Sequence, residues 1–377
     1  CQAYLDEQSN NNDFGFMKSR ESKENKGTNG GSANFGSPLL SSSNYCEYDI
    51  DVYSCININC NNIKWIRKFP RSLKEIINYS QKPNQFLCSI DLSDTGIIEL
   101  SSSDTFENFD LFYANLLKAN PNQTTIRLTF SNIETIRELK FPPELNMVFF
   151  IRDSTIKYVE PKALSNINKI EINFFNINMT LMQWFNLLDS SKLKLLSLRN
   201  IQNLKEEYTN LANKDVILVQ VTSIHDLKIQ YSYLPVLDDS FIFFKLLKSV
   251  EQLDLIRCSI AFIKNGIFDK YSNTFRYLKY LALANNNINR ITEQTFSGLN
   301  NLVMLDLDEN PIEYIHPNTF ASLKKLKILS INSISTNPNI KSISQTTAPV
   351  WLFNVLKNNR ELKEINHKSG RLLNNYC

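Results

Sequence analysis

"LKYLALANNNINRITEQTFSGL" (residues 278–299) is followed two residues later by "LVMLDLDENPIEYIHPNTFASL" (302–323). Leu278, Leu281, Leu283, Asn286, Ile288, Ile291, Phe296 and Leu299 match Leu302, Leu305, Leu307, Asn310, Ile312, Ile315, Phe320 and Leu323 in type, 24 residues apart. The residues between them differ. A chain that repeats a pattern without repeating an identity is repeating its core contacts and leaving its outward positions free. The L-x-L pair alternates with period two, as in a short strand with one buried face. The later Ile and Phe positions bring apolar groups back to the same core. One rung cannot bury its own apolar face, so rungs must stack. The Asn stands where the chain leaves the strand. Its amide both donates and accepts, which suits buried turn backbone.

Outward from this pair, rungs start at Leu87, Gln123, Asn146, Ile167, Leu193, Ile224, Val250, Leu278, Leu302, Leu326 and Leu362. One degenerate rung reads Ile126, Leu128, Ser131, Ile133, Ile136, Phe141. The next reads Phe149, Ile151, Ser154, Ile156, Val159, Leu164. In "VILVQVTSIHDLKI" (216–229), Val216, Val219 and Val221 compete with Leu227 and Ile229; the second set is preferred because Leu234 and Leu237 then fall into place. Cys258 takes the Asn position of its rung and reads as a small buried thiol. Helical spacing in "SSSDTFENFDLFYANLLKA" (101–119) and around Val350, Phe353, Val355 and Leu356 predicts two short amphipathic helices packed on neighbouring rungs.

Composition bounds the rest. Hydrophobic residues make up 42% of the 377-residue chain, enough for a sizeable core. The 41 basic and 38 acidic residues nearly balance, which argues against a nucleic-acid footprint. No run of 18 apolar residues is present to span a membrane. Five of the nine glycines, Gly15, Gly27, Gly30, Gly31 and Gly36, lie in the first 45 residues among Asn, Ser and Lys. That stretch reads as a disordered arm over 1–45. Cys1 fits the first residue left after removal of a signal peptide. His225, His316 and His367 are the only histidines, and none sits in a zinc or nucleophile motif. No cofactor, metal or active site is expected; Asp306 and Asp308 read as a solvated acidic edge.

Cys46, Cys55, Cys60 and Cys88 cluster at the start of the array, where a solenoid's first rung needs a cover. They read as a disulfide-tied cap over 46–86, with three pairings open. Disulfides imply an oxidising compartment. The sequons at Asn78, Asn122 and Asn178 agree with a secreted glycoprotein. A surface lipoprotein acylated at Cys1 is the alternative.

The spacing over residues 87–375 resembles the extracellular type of leucine-rich repeat, with its Phe in the return segment. That resemblance implies an α/β solenoid: a curved parallel sheet on the concave face, and an irregular or short-helical convex side. The array would span 87–377, in about eleven rungs closed by a C-terminal helix. "CEYDI" with Cys55 resembles the cap of arthropod proteins similar to the non-catalytic subunit of shrimp luciferin monooxygenase, although Glu47 replaces a Pro and a later C-x-C is missing. The resemblance implies a secreted, non-enzymatic binding protein. The soluble ectodomain of a receptor of the Toll-like type, or a non-catalytic subunit of an enzyme complex, is the alternative.

Such a face would hold a protein ligand through residues between the buried leucines. Arg127, Phe130, Phe150, Phe174, Lys228, Tyr231, Arg257 and Tyr280 are expected there, since large aromatics flanked by charge anchor protein interfaces.

Overall fold

The computed structural model describes residues 45–78, 85–167, 170–189, 191–205, 222–331, 364–367 and 370–373. The arm (1–44), Cys1, Cys377, the valines at 216–221 and the helix expected around Val350 lie outside the described residues.

β1 (Glu47–Ile50) and β2 (Cys55–Asn59) form an antiparallel hairpin. Rungs follow in chain order: β3 (Phe86–Leu92) with return strand β4 (Glu99–Leu100), β5 (Thr125–Ser131) with β6 (Thr135–Ile136), and β7 (Asn146–Thr155) with β8 (Tyr158–Val159). Next come β9 (Ile170–Asn178) and β10 (Leu195–Arg199), then β11 (Thr222–Gln230) with β12 (Val236–Leu237) and β13 (Leu247–Asp254) with β14 (Phe262–Ile263). Last are β15 (Tyr280–Ala282) with β16 (Arg290–Ile291), β17 (Met304–Asp306) with β18 (Tyr314–Ile315), β19 (Ile328–Ser330) and β20 (Glu364–His367). β21 (Gly370–Leu373) turns back antiparallel to β20. The hairpins and the longer strand of each rung form one sheet of 14 strands, parallel from β2 to β20. Edge strands expose unpaired backbone, and a hairpin at each end gives the parallel stack a partner there.

The register is one continuous inward row: Ile58, Ile90, Leu128, Phe149, Ile172, Leu196, Leu227, Leu253, Leu281, Leu305, Leu329 and Ile365 are paired strand to strand. All but Ile365, whose side chain is not described, are at most 2% exposed. The second leucine of each pair forms a parallel row, Leu92, Phe130, Ile151, Phe174, Leu198 and Ile229. Leu227 and Ile229 are buried, so the rung at Ile224 takes the register expected of it.

Phe130 and Phe174 are corrections. Both were expected on the ligand face, and both are buried, at 0% and 1% exposure. In β5 and β9 the inward alternation runs two residues further than in the 24-residue rungs: Ile126, Leu128, Phe130, and Ile170, Ile172, Phe174. Counting from the rung start therefore lands on an inward residue. Strand pairing sets the true register, because a residue's face is fixed by its parity within the strand.

Behind the sheet, aromatic groups from the return segments fill the core. Phe106, Phe109, Phe141 and Phe149 meet at ring distances of 4.9–6.1 Å. The helix Phe109–Ala119 buries Phe109, Phe112, Tyr113 and Leu116 in this cluster. Trp184, on the helix Leu181–Leu188, packs edge-on against Phe174 at 5.5 Å. Phe296 and Phe320, the paired Phe positions of the opening stretch, stack at 6.0 Å. Gly298, beside Phe296, has φ +93, and a Cβ there would lie 2.6 Å from the Asp269 backbone. Only glycine suits that rung contact.

Two disulfides settle the cap. Cys46 pairs with Cys60 and Cys55 with Cys88. The first closes the β1–β2 hairpin. The second ties β2 to β3, so the cap continues the sheet rather than sitting beside it. Among the described residues no helix is long and apolar enough to cross a membrane.

Candidate recognition face

Where each strand ends, the chain turns through one residue in the left-handed region. These are Asp94, Asn132, Asp153, Asn176, Asn200, Tyr231, Arg257, Asn285 and Glu309, with φ between 48 and 58°. Asn and Asp tolerate this conformation, and bulkier residues are strained in it by roughly 1–2 kcal/mol. Six of the nine are Asn or Asp, and their side chains bridge rungs: Asn132 to Asp94 at 2.6 Å, Asn176 to Asp153 at 2.8 Å. Tyr231, Arg257 and Glu309 break the rule on consecutive or nearby rungs.

The asparagine ladder explains why the turn can be buried. Asn286 Oδ1 accepts from the N–H groups of Cys258 and Ile260 at 2.9 and 3.0 Å. Its Nδ2 lies 2.7, 2.9 and 3.2 Å from the carbonyls of Leu255, Leu283 and Ala284. Ser154 and Ser232 do a smaller version of this job, each accepting one N–H of the preceding rung. Cys258 is fully buried, its Sγ 3.2 Å from the Ile229 carbonyl, and burial pushes its thiol up to about 12, so it is not a nucleophile.

The outward residues form rows of their own. One runs Ser89, Arg127, Val148, Glu171, Leu195, Asp226, Gln252, Tyr280, Met304. The next runs Thr129, Phe150, Asn173, Ser197, Lys228, Asp254, Ala282, Asp306, Ser330. Arg127 is exposed; Phe150, Lys228 and Tyr280 are half-buried in these rows. They are spread along the sheet rather than gathered.

Tyr231 and Arg257 are gathered. The Arg257 guanidinium carbon lies 5.1 Å from the Tyr231 ring centre, and its Nη1 donates to the Tyr231 hydroxyl at 2.9 Å. Arg199, from the preceding rung, lies over the same ring at 4.4 Å. Tyr231 remains 42% exposed, Tyr233 is 76% exposed, and Phe175 lies 41% exposed two rungs earlier. Arg199 and Phe175 were missed in the sequence because the expected positions were counted from rung starts. Each directly precedes a left-handed residue, a signal that the Asn at 176 and 200 provides.

Asp254, paired in register with Lys228, is 2% exposed. Its Oδ2 accepts from Gln230 Nε2 at 2.9 Å, and its Oδ1 from the Ile256 N–H at 3.1 Å. Burial pushes its carboxyl up to about 6, and does the same for Asp306, whose Oδ1 accepts from the Asp308 N–H. Asp306 and Asp308, expected as a solvated acidic edge, are both half-buried. The folded Asp254 holds a proton that an unfolded carboxyl, titrating near 4, releases. Its contribution to stability is thus full below pH 4, is lost as pH rises through 6, and amounts to about 3 kcal/mol. Asp254→Asn is expected to raise stability at pH 7 by about 2 kcal/mol, since the charge that resists burial is gone. It should leave stability at pH 4 nearly unchanged. Denaturant unfolding of both proteins between pH 4 and 7 checks this. Asp239, held down to about 2 by Lys264 and Lys270, acts only below this window.

Asn78, Asn122 and Asn178, the sequon asparagines, are all exposed. Among the described residues no group of His, Cys, Asp and Glu is arranged to hold a metal ion.

A parallel sheet stacked rung by rung, with an Asn ladder at the turn and an exposed row along its edge, defines a solenoid repeat protein. Residues 276–333, which contain the opening stretch, match the family model Leucine rich repeat. Residues 276–333 are leucine-rich repeats, and the parallel sheet continues the same solenoid on either side of them. No curated protein matches it. Among solved structures it is similar to that of a TLR13–ssRNA13 complex, at 19% identity and TM-score 0.43, covering 66% of this chain and 33% of that one. It is also similar to the glycosylated Toll–Spatzle complex of Drosophila development and innate immunity, at 15% identity and TM-score 0.35, covering 73% and 37%. The chain thus spans about a third of the length of these structures.

Proposed function

We propose that this is an extracellular, non-enzymatic binding protein that recognises another protein with its sheet face, and that the edge at Tyr231 is the anchor. The observation that carries this is Tyr231 itself. A Tyr occupies a left-handed position that six of the nine such turns fill with Asn or Asp, and it stays exposed between two arginines. Backbone strain that persists is a pointer to function, and Tyr and Arg are the residues enriched at binding hot spots. The half-buried Tyr280 and the exposed Arg127 extend the face along the outward rows. The two cap disulfides and three exposed sequon asparagines support secretion and glycosylation, since disulfides persist in oxidising compartments.

A photo-cross-linking amino acid in place of Tyr231, Tyr280 or Phe262 tests this in the presence of secreted proteins from the source tissue. Phe262 is 53% exposed on a return strand, away from the sheet face. Cross-links to the same protein from positions 231 and 280, and not from 262, are expected. Cross-links from 262 alone would place recognition on the opposite side.

A further inference from the structure

We infer that the Arg199–Tyr231–Arg257 cluster seats a carboxylate-bearing segment of a partner protein, an acidic peptide rather than a nucleic acid or a sulfated polysaccharide. This rests on the recognition reading above and gives its anchor a chemistry. Each guanidinium carries five N–H donors in a rigid plane. The two guanidinium carbons lie 4.4 and 5.1 Å from the Tyr231 ring centre, and Arg257 spends one donor on the ring hydroxyl. Among the described residues no carboxylate approaches either one. Arg137 and Arg152, by contrast, pair with Glu99 at 2.9 Å and with Asp91 at 3.7 Å. Asp254, on the adjoining strand, is buried and accepts from Gln230 at 2.9 Å. Lys228, three residues before Tyr231, adds a further positive charge. Two guanidinium groups held beside one ring, with donors left over, match a carboxylate, and their shared contact reduces the ordering cost of binding.

The length of the face selects peptide over polyanion. Asp306 and Glu309 have no basic partner among the described residues, and they stand two strands beyond β13, the rung of Arg257, roughly 10 Å away. A single carboxylate at the cluster lies outside the screening length of about 8 Å from them. A nucleic acid carries a charge every few ångströms, so a strand laid across the rungs would run onto those acids.

Fluorescence anisotropy with three labelled probes tests this on the full chain: a peptide with one Glu among neutral residues, a single-stranded RNA and a heparin oligosaccharide. The peptide is expected to bind best, and the double variant Arg199→Gln/Arg257→Gln to bind it at least about tenfold more weakly. Circular dichroism melts confirm that the variant is folded, since both arginines sit at the surface. Preferred binding of RNA or heparin overturns the peptide assignment, and so does peptide binding unchanged in the double variant. If Tyr231→Ala abolishes partner cross-linking from position 280 while the double arginine variant retains it, the carboxylate seat falls and the sheet-face reading stands. If both variants retain it, the carboxylate seat and the Tyr231 anchor fall, and recognition by the sheet face stands on position 280.

Discussion

Asn286→Ala is expected to destabilise the protein by about 3–5 kcal/mol, although it removes only a small polar side chain. The methyl group would leave the N–H groups of Cys258 and Ile260 and the carbonyls of Leu255, Leu283 and Ala284 without the amide that now meets them. A buried backbone group left unpaired costs about 1–3 kcal/mol, and water reaching the site would recover part of the sum. The site is 4% exposed, so that recovery is limited. The same amide reaches across two rungs, and each rung is held only by its neighbours. The loss therefore falls on the junction between β13 and β15. Asn287→Ala, at the exposed next position, is expected to change stability by less than about 0.5 kcal/mol. Denaturant unfolding of the pair separates the two. Equal, small losses would mean that the ladder is decoration.

Phe174→Ala is expected to cost about 3–5 kcal/mol, the usual range for emptying a buried aromatic site. The cavity would open against Trp184, which has no exposure and which Phe174 now meets edge-on. Phe175→Ala, one residue along, should cost under about 1 kcal/mol, because that side chain is 41% exposed. The pair is a register test. If β9 were shifted by one residue, the two effects would exchange, since a one-residue slip turns every side chain to the other face. Chemical denaturation of both variants reads the result directly.

These two residues also mark how far the sequence could be read. Leu281, Leu305 and Asn286 were legible because their rungs repeat at 24 residues, so the pattern itself states which side chains face the core. The rungs at Gln123 and Ile167 were not. Their strands lengthen by one inward residue, and their return segments keep the usual spacing, so a count from either end gives a different face for Phe130 and Phe174. The pairing partner settles the face, and partners are set by stacking rather than by local spacing. The cap pairing was illegible for the same reason: four cysteines within one cap leave three pairings, and only the β2–β3 contact brings Cys55 to Cys88. Tyr231 and Arg257 were legible as outward residues. Their contact with Arg199 was not, because Arg199 and Tyr231 stand at unequal positions in rungs of unequal length. The buried state of Asp254 was hidden as well. Its place in the pattern is outward, and it is the surrounding side chains that cover it.

The central claim is that Tyr231 is kept in a left-handed turn for what it meets outside, not for what it holds inside. The most direct test is the unfolding free energy of Tyr231→Asn. Asn relieves about 1–2 kcal/mol of strain and gives up two exposed cation–π contacts worth about 0.5–1 kcal/mol each. Stability is expected to stay within about 1 kcal/mol of the parent protein or to rise above it. A loss well beyond about 1 kcal/mol would show that Tyr231 serves the fold and not a partner.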